Sequence, residues 1–365
     1  MKASILTDLH RAAEGGAELT AGDAPVLLTY GEVPDEYAAA TSGCVVFDHT
    51  ARGLLEVGGA DARAFLHRLL ANEVRSLEPG SGNRNLLLSS KGKVQFEFDL
   101  AVEEGMLRLS TPPGRAPQLL AALDTYLFAE QVELRDATEE HAPLDLCGPR
   151  CAAVARAVVG AVPERDHATI AGEFQGAPVR VTALVVAGSP GLRLDAGPEL
   201  APALWRALIA AGAAPAGLIA YDILRVEACA AEPGVDVDEN VYPQEARLED
   251  AFSLEKGCYI GQEVVAKIDT YGGLNKRLVA LRVDHDDPVP RGTRLLLDED
   301  GEERDLGVVT SWAYSFALDA GLVLAYVKRR HQEPGTAFRL AGDRGRATVV
   351  AAPVREATAL GVQEG

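Results

Sequence analysis

The pattern of apolar and polar residues predicts alternating strands and helices between about residues 44 and 140. Residues 53–57 form an apolar run typical of a strand, and residues 61–70 place most of their apolar side chains on one side of a helix. Three further strands and one further helix are predicted at residues 86–88, 94–102, 106–110 and 117–128. This order predicts helices packed on an antiparallel sheet, an α+β arrangement.

A second mixed segment runs from about residue 141 to 245, and the pattern changes again after Asn275. The middle segment predicts strands at 179–186 and 191–194, and helices at 201–211 and 219–229. Beyond Asn275, short β-rich runs separated by Asp, Gly and Pro turns lie at residues 277–283, 294–297, 307–311, 321–327 and 347–354. Such runs are typical of a small all-β barrel or sandwich.

Length, charge and cysteine content narrow the class of protein. The 365 residues suffice for two or three domains, and the net charge of −19 argues against a protein that coats nucleic acid or an anionic membrane. The five cysteines are few and scattered, which is typical of a reducing compartment. Residues 1–19 lack the apolar core of a signal peptide, and the longest uncharged run, 207–221, is too short and interrupted to span a bilayer. We therefore expect a cytoplasmic protein.

The run Lys-Gly-Cys-Tyr-Ile-Gly-Gln-Glu at residues 256–263 concentrates a cation, a thiol, an amide and a carboxylate. Its two glycines predict a tight turn, and residues 262–268 predict a short helix. A thiol just before a helix N-terminus and close to Lys256 can have a lowered pKa and act as a nucleophile or metal ligand. The alternative is that Cys258 is a small buried hydrophobic residue in a structural turn. No His or Cys pattern supports a metal site elsewhere, so no tightly held metal is expected.

A second candidate is the pair Arg225 and Glu227 on the helix predicted at 219–229. Two residues apart, they do not share one helical face, so one can point into a cavity while the other anchors a neighbouring element. The alternative is a surface ion pair of little energetic consequence.

Several segments together resemble the folate-binding T-protein superfamily, over about residues 25 to 355. The N-terminal part of the resemblance lies in residues 47–49 and 55–66, the central part in 221–228, 242–246 and 256–263, and the β-domain part in 307–311 and 321–325. Within that superfamily, the motif Lys-Gly-Cys-Tyr-x-Gly-Gln-Glu resembles the signature of the YgfZ-type proteins. The glycine-cleavage T-proteins, which are aminomethyltransferases, generally have no cysteine at this place.

A second departure from the T-proteins lies at the hairpin predicted around Gly92. T-proteins carry two aspartates just after a glycine there, and one of them is catalytic. Here Gln95 and Phe96 stand at those positions. Glu97 and Asp99 are close, but a shift of one or three residues turns a side chain to the other face of the sheet. Enzymatic activity is therefore left open.

The resemblance implies an α+β protein of three domains arranged as a cloverleaf around a central folate-sized hole. Residues 44–140 would form one α+β domain, and residues 1–43 with 141–274 a second one that contributes the folate helix and the turn at 256–263. Residues 275–365 would form a C-terminal β-barrel.

By the same resemblance, the protein would bind tetrahydrofolate and assist the assembly or repair of iron–sulfur clusters, with an indirect effect on tRNA modification. Cys258 and Lys256 would be the reactive residues. Glu227 would accept hydrogen bonds from the pterin ring and Arg225 would be a wall or anchoring residue. The remaining folate-binding candidates are Tyr221, Gln262 and Arg277. A basic cluster would meet the glutamate tail of folate or an acidic partner, and comprises Lys256, Lys267, Lys276 and Arg277.

We further expect a monomer whose partners are iron–sulfur proteins or assembly factors, without direct nucleic-acid binding. Two rival functions stay open. One is a folate-dependent aminomethyltransferase or demethylase that uses Glu97 or Asp99 as its acid/base group. The other is a non-catalytic folate-binding adaptor without thiol chemistry.

Overall fold

A computed structural model describes residues 2–13, 17–21, 24–299 and 302–355. In these residues the helices are α1 (Thr7–Arg11), α2 (Val33–Ser42), α3 (Ala62–Leu69), α4 (Ala116–Asp124), α5 (Cys151–Val159), α6 (Ala201–Ala210), α7 (Leu218–Glu227) and α8 (Gln262–Tyr271). The strands are β1 (Glu18–Leu19), β2 (Leu27–Thr29), β3 (Val45–Asp48), β4 (Gly53–Gly58), β5 (Gly82–Leu88), β6 (Val94–Glu103), β7 (Met106–Thr111), β8 (Glu133–Asp136), β9 (Ala142–Cys147), β10 (Thr169–Phe174), β11 (Ala177–Val186), β12 (Ser189–Ala196), β13 (Ala214–Ala216), β14 (Lys276–Val283), β15 (Arg294–Glu299), β16 (Glu302–Ser315), β17 (Ala320–Lys328), β18 (Ala337–Leu340) and β19 (Arg346–Val349).

The described residues fall into two compact units. The first contains those between 2 and 87 together with 96–221, and the second contains 88–95 together with those between 222 and 355. The tip of the β5–β6 hairpin therefore belongs to the second unit, although most of both strands belongs to the first.

The first unit contains a five-stranded sheet in the order β5-β6-β7-β4-β8. β7 pairs antiparallel with both β6 and β4, and β4 pairs antiparallel with β8. Helices α3 and α4 pack on this sheet. α4 begins with Pro117 in its first turn and ends at Asp124, four residues before the predicted end. The hydroxyl of Thr125 bonds to the carbonyl of Ala122, a local bond that competes with helix continuation.

The same unit contains a six-stranded sheet in the order β10-β11-β12-β9-β3-β13. Its pairs are antiparallel except for β13 beside β3. Every residue of β9 is buried, and helices α5 and α6 cover a core centred on the fully buried Trp205. β3 pairs with β9 and thus belongs to this sheet, although it lies only five residues before β4.

The second unit is built on a closed six-stranded barrel in the order β14-β17-β16-β15-β18-β19. Alternate apolar side chains, among them Leu281, Val323 and Phe338, fill its interior. The tip of the β5–β6 hairpin, the segment after α7 and helix α8 complete this unit.

The prediction of an α+β fold with a C-terminal β-barrel is confirmed, and the choice between barrel and sandwich is decided for the barrel. The three domain boundaries and the central hole stay predictions. Across the described ranges, none of the helices combines the length and apolar character that crossing a lipid bilayer requires.

Candidate functional site

The turn at 256–263 carries its thiol at the surface. Cys258 is exposed, whereas the neighbouring Tyr259 is buried, with 7% of its surface exposed. Burial raises the pKa of Tyr259 to about 12, and its hydroxyl has no hydrogen-bond partner among the described residues. Lys256 Nζ lies 5.2 Å from the centroid of the Tyr259 ring, a cation–π contact. Lys256 therefore contacts the buried aromatic ring that directly follows Cys258 in the chain.

Two glycines fix this turn against the tip of the β5–β6 hairpin. Gly261 has φ 81° and caps α8, and Gly92 at the hairpin tip has φ 73°. A Cβ on Gly261 would lie 2.5 Å from the carbonyl oxygen of Ser89 and 2.9 Å from Gly92 Cα. A Cβ on Gly92 would lie 2.9 Å from Val264 Cβ. Both positions thus require glycine for backbone conformation and for space.

Gln262 is the first residue of α8 and is half-buried. The side-chain amide of Gln244 donates to the carbonyl of Val265 at 3.0 Å, which holds the helix from a second segment. The exposed pair Glu263–Lys267, with Lys267 Nζ 2.5 Å from a carboxylate oxygen, spans one helical turn.

Lys93, next to Gly92, is a residue that the sequence analysis did not single out. Its ammonium donates to the carbonyl of Asn240 at 2.8 Å and lies 3.1 Å from the centroid of the Tyr242 ring. Glu245 Oε2 is 3.8 Å away. Burial lowers the pKa of Lys93, and the positive charge of Lys276 acts in the same direction. Its place directly after the hairpin glycine was the available signal.

Arg225 is buried, and its guanidinium donates hydrogen bonds to three side chains. Its guanidinium donates to Asp222 at 2.6 Å, to Asp236 at 2.8 Å and to the Ser311 hydroxyl at 3.0 Å. Burial alone would lower its pKa, but the two carboxylates raise it. Arg225 therefore ties the end of α7 to Asp236 and to β16, an anchoring geometry.

Glu227 is 1% exposed and lies at the last position of α7. Its Oε1 accepts from the Ser315 hydroxyl at 2.7 Å and from the Ala317 N–H at 3.1 Å, and its Oε2 is 3.7 Å from Arg355 Nε. A carboxylate has about four acceptor positions, so the group can accept from several donors at once. These contacts tie the end of α7 to the residues at and after the end of β16.

The predicted basic cluster consists of cations that each contact a local partner. Arg277 donates to Glu249 at 2.6 Å, and Lys276 Nζ lies 4.7 Å from the centroid of the Tyr326 ring. Lys267 pairs with Glu263 and Lys256 contacts Tyr259.

Tyr221 lies in the first unit, where it lines a small cleft. Its ring packs edge-on against Phe47 and His49, with both centroid distances at 5.4 Å. His49 Nδ1 is 2.7 Å from a carboxylate oxygen of Asp145, which is buried.

The carboxylates nearest to the expected aspartate positions are held by arginines. Arg84 Nε donates to Glu97 at 2.8 Å, and Arg193 donates to Asp99 at 2.8 Å. Burial alone would raise the pKa of Asp99, but Arg193 and Arg52 lower it. A carboxylate with a lowered pKa is a weak proton acceptor near neutral pH. At Phe96 itself, the guanidinium carbon of Arg115 lies 4.6 Å from the ring centroid.

The other four cysteines are buried. Burial raises the pKa of Cys151 to about 12 and that of Cys229 to about 11, and raises the pKa of Cys44 as well. Thiols of this kind are poor nucleophiles. In the ranges that the structure describes, no group of three or more His, Cys, Asp or Glu side chains could hold a metal ion.

Comparison with known proteins places these elements in a family. Residues 27–256 match the model of the GCVT N-terminal domain, and residues 276–354 match the glycine cleavage T-protein C-terminal barrel domain. The chain belongs to the glycine cleavage T-protein family. Its β-barrel is the barrel of that family, and the turn at 256–263 begins where the match to the N-terminal domain ends.

Relatives within the T-protein family span most of the chain. The aminomethyltransferase of Rubrobacter xylanophilus is 32% identical over 82% of this chain and 80% of its own. An aminomethyltransferase of Thermus thermophilus is 30% identical over 84% of this chain and 86% of its own. A putative chloroplastic transferase of Arabidopsis thaliana is 26% identical over 83% of this chain and 69% of its own.

The fold agrees with a solved T-protein structure. The crystal structure of glycine cleavage system aminomethyltransferase T from Bartonella henselae superposes with a TM-score of 0.84, over 97% of this chain and 98% of that one, at 24% identity.

Proposed function

We propose that this member of the T-protein family is a tetrahydrofolate-binding protein of the YgfZ type, which assists iron–sulfur cluster assembly or repair through Cys258. The observation that carries the proposal is the exposure of Cys258 on a turn fixed by Gly92 and Gly261, while the other four cysteines are buried. An exposed, positioned thiol is the form in which cysteine binds metals or reacts.

In this proposal Glu227 accepts the N–H groups of the pterin ring, and Arg225 holds the end of α7 in place through Asp236. Folate would supply the one-carbon chemistry. The thiol of Cys258 would be a transient ligand for iron that is delivered to or removed from a client protein. One cysteine cannot fill a four-thiolate site, so the cluster is a substrate shared with that client.

A second candidate is aminomethyl transfer or folate-dependent demethylation. The names of the relatives, which are aminomethyltransferases, favour this candidate over cluster maintenance. The side chains near the hairpin favour thiol chemistry instead, because Glu97 and Asp99 are both paired with arginines. The third candidate, a non-catalytic adaptor, would bind folate at the same site, and replacing Cys258 would not change its function.

Calorimetric titration with tetrahydrofolate tests the cofactor. We expect saturable binding by the wild type, and a weakening of about tenfold or more for Glu227→Gln, since the charge-assisted bonds to the pterin are lost. Ser315→Ala is the matched control, because it removes one hydrogen bond to Glu227 and leaves the carboxylate. Absence of binding by the wild type would remove folate from the proposal.

Turnover separates the two candidates. We expect no transfer from an aminomethyl or methylamine donor to tetrahydrofolate. Measurable turnover that falls in Glu97→Gln and persists in Cys258→Ala would establish the second candidate in place of the first.

A further inference from the structure

The second unit carries a basic surface at one end of its barrel, outside the turn at 256–263. We define this basic surface by Arg304, Lys328, Arg329 and Arg330. It surrounds an open cleft of about 500 Å³ that is also lined by residues 273–275, Leu306 and His331. A strong local positive charge is unexpected in a chain whose net charge is −19.

Strand geometry concentrates these cations. β17 ends at Lys328, and a short 3₁₀ turn over Arg329–His331 follows it directly. On β16, the neighbours of Arg304 are acidic, but successive side chains of a strand alternate between its faces. Glu303 pairs with Arg339, and Asp305 pairs with Arg294.

Two of these cations have exposed side chains that none of the described residues neutralises. Lys328 and Arg330 are exposed, and neither forms a hydrogen bond or ion pair through its side chain with any described residue. Arg329 donates to the carbonyl of Gly272, a neutral acceptor. Lys276 faces Lys328 across the β14–β17 pair and adds further positive charge.

An exposed aromatic side chain lies beside the basic surface. Tyr271, the last residue of α8, is 81% exposed and directly precedes Gly272, which Arg329 holds. Tyrosine and arginine are enriched at the centres of protein–protein interfaces. A cationic cleft with an exposed tyrosine at its edge has the composition of a docking surface.

We propose that the basic surface and Tyr271 bind an acidic segment of a partner protein. Guanidinium groups match carboxylates in a bidentate geometry. The basic surface is compact and belongs to a strongly acidic chain. A long polyanion such as nucleic acid would extend past the basic surface and be repelled by the negative charge of the rest of the protein. A short run of Asp or Glu residues matches its size.

Fluorescence anisotropy with a fluorescein-labelled peptide of ten glutamates tests the proposal on the full chain. We expect saturable binding that weakens as salt is added, because the contacts are charged. Lys328→Glu/Arg330→Glu should raise the Kd by about tenfold or more, and Tyr271→Ala by about threefold. Circular dichroism before titration establishes that each variant is folded.

The matched control is Arg156→Glu/Arg206→Glu, which makes the same change in net charge at exposed positions of α5 and α6. It should leave the Kd within about twofold of wild type. Equal weakening in both double variants, or no binding by the wild type at low salt, would overturn the proposal. A ten-nucleotide single-stranded RNA that binds as tightly, and weakens with the same Lys328/Arg330 variant, would overturn the assignment to a protein partner.

Discussion

In the first unit the ionisable groups near the six-stranded sheet are buried and paired, whereas the turn at 256–263 in the second unit presents its thiol at the surface. Arg193 donates to both oxygens of Asp145 and also to Asp99, and His49 contacts the same Asp145. Such groups connect neighbouring strands through buried ion pairs and hydrogen bonds. Cys258 contributes to no core and is held in place by its neighbours. The difference separates side chains that stabilise the fold from one that is available for chemistry.

The largest effect is expected from breaking the buried network. Arg193→Met should reduce the free energy of unfolding of the first unit by about 3–5 kcal/mol, because Asp145 and Asp99 lose their buried cation. The two tryptophans allow a specific measurement, since Trp205 lies in the first unit and Trp312 in the second. Urea unfolding followed by fluorescence in a Trp312→Phe background reports on Trp205. Arg11→Met, which breaks an exposed pair with Asp8 in the same unit, is the control and should cost less than about 1 kcal/mol.

The next largest loss of stability is expected from disturbing the contact between Gly92 and Gly261, which positions the thiol. Gly257 has φ 100° and open space around its Cβ position, so Gly257→Ala should cost only the strain of a left-handed backbone, about 1–2 kcal/mol. Gly92→Ala and Gly261→Ala add steric overlap, roughly 1–3 kcal/mol more. Urea unfolding followed through Trp312 in a Trp205→Phe background measures the three variants. Equal losses in all three would show that the close contact has no energetic role.

A smaller change in the free energy of unfolding is expected when the pH is lowered. The pKa of Asp99 is lowered in the folded state, so its ionised form stabilises the fold above the unfolded value of about 3.9, and this contribution is lost as pH falls through the folded pKa. The stability advantage of wild type over Asp99→Asn should therefore shrink as the pH falls below about 4. Urea titrations at several pH values measure it. A constant wild-type advantage over Asp99→Asn across this pH range would contradict the ion-pair assignment.

The smallest effect on stability is expected at the thiol itself. Cys258→Ser should change the free energy of unfolding by no more than about 0.5 kcal/mol, because the side chain is exposed. Titration with a disulfide reagent should find one reactive thiol in the native chain and five after denaturation. More than one fast-reacting thiol in the native state would contradict the burial of the other four.

Periodicity in the sequence predicted four of the five strands of one sheet and five of the six strands of the barrel, because alternation of apolar residues directly reports burial on one face. In the six-stranded sheet it predicted only β11 and β12. It did not reveal that β3 joins the sheet of β9, since that pairing bridges about a hundred residues. The turn at 256–263 was found from its composition. The partners of Arg225 and Glu227 were not, because Asp236, Ser311 and Ser315 are brought to them only by folding.

The role of Lys93 was missed for the same reason. The place of Lys93 directly after the hairpin glycine marks the residue, but it does not reveal the contact with Tyr242, which lies 149 residues further along the chain. The glycine-to-glycine contact between the hairpin and the turn likewise depends on tertiary structure. Sequence patterns identified candidate groups, and the structure determined which of them are paired and which are exposed.

The most direct test of the central claim is the activity of iron–sulfur enzymes in cells depleted of their own homologue and supplied with variants of this chain. The account predicts that the wild type and Glu97→Gln restore that activity and that Cys258→Ala, present at the same protein level, does not. Full restoration by Cys258→Ala would contradict it.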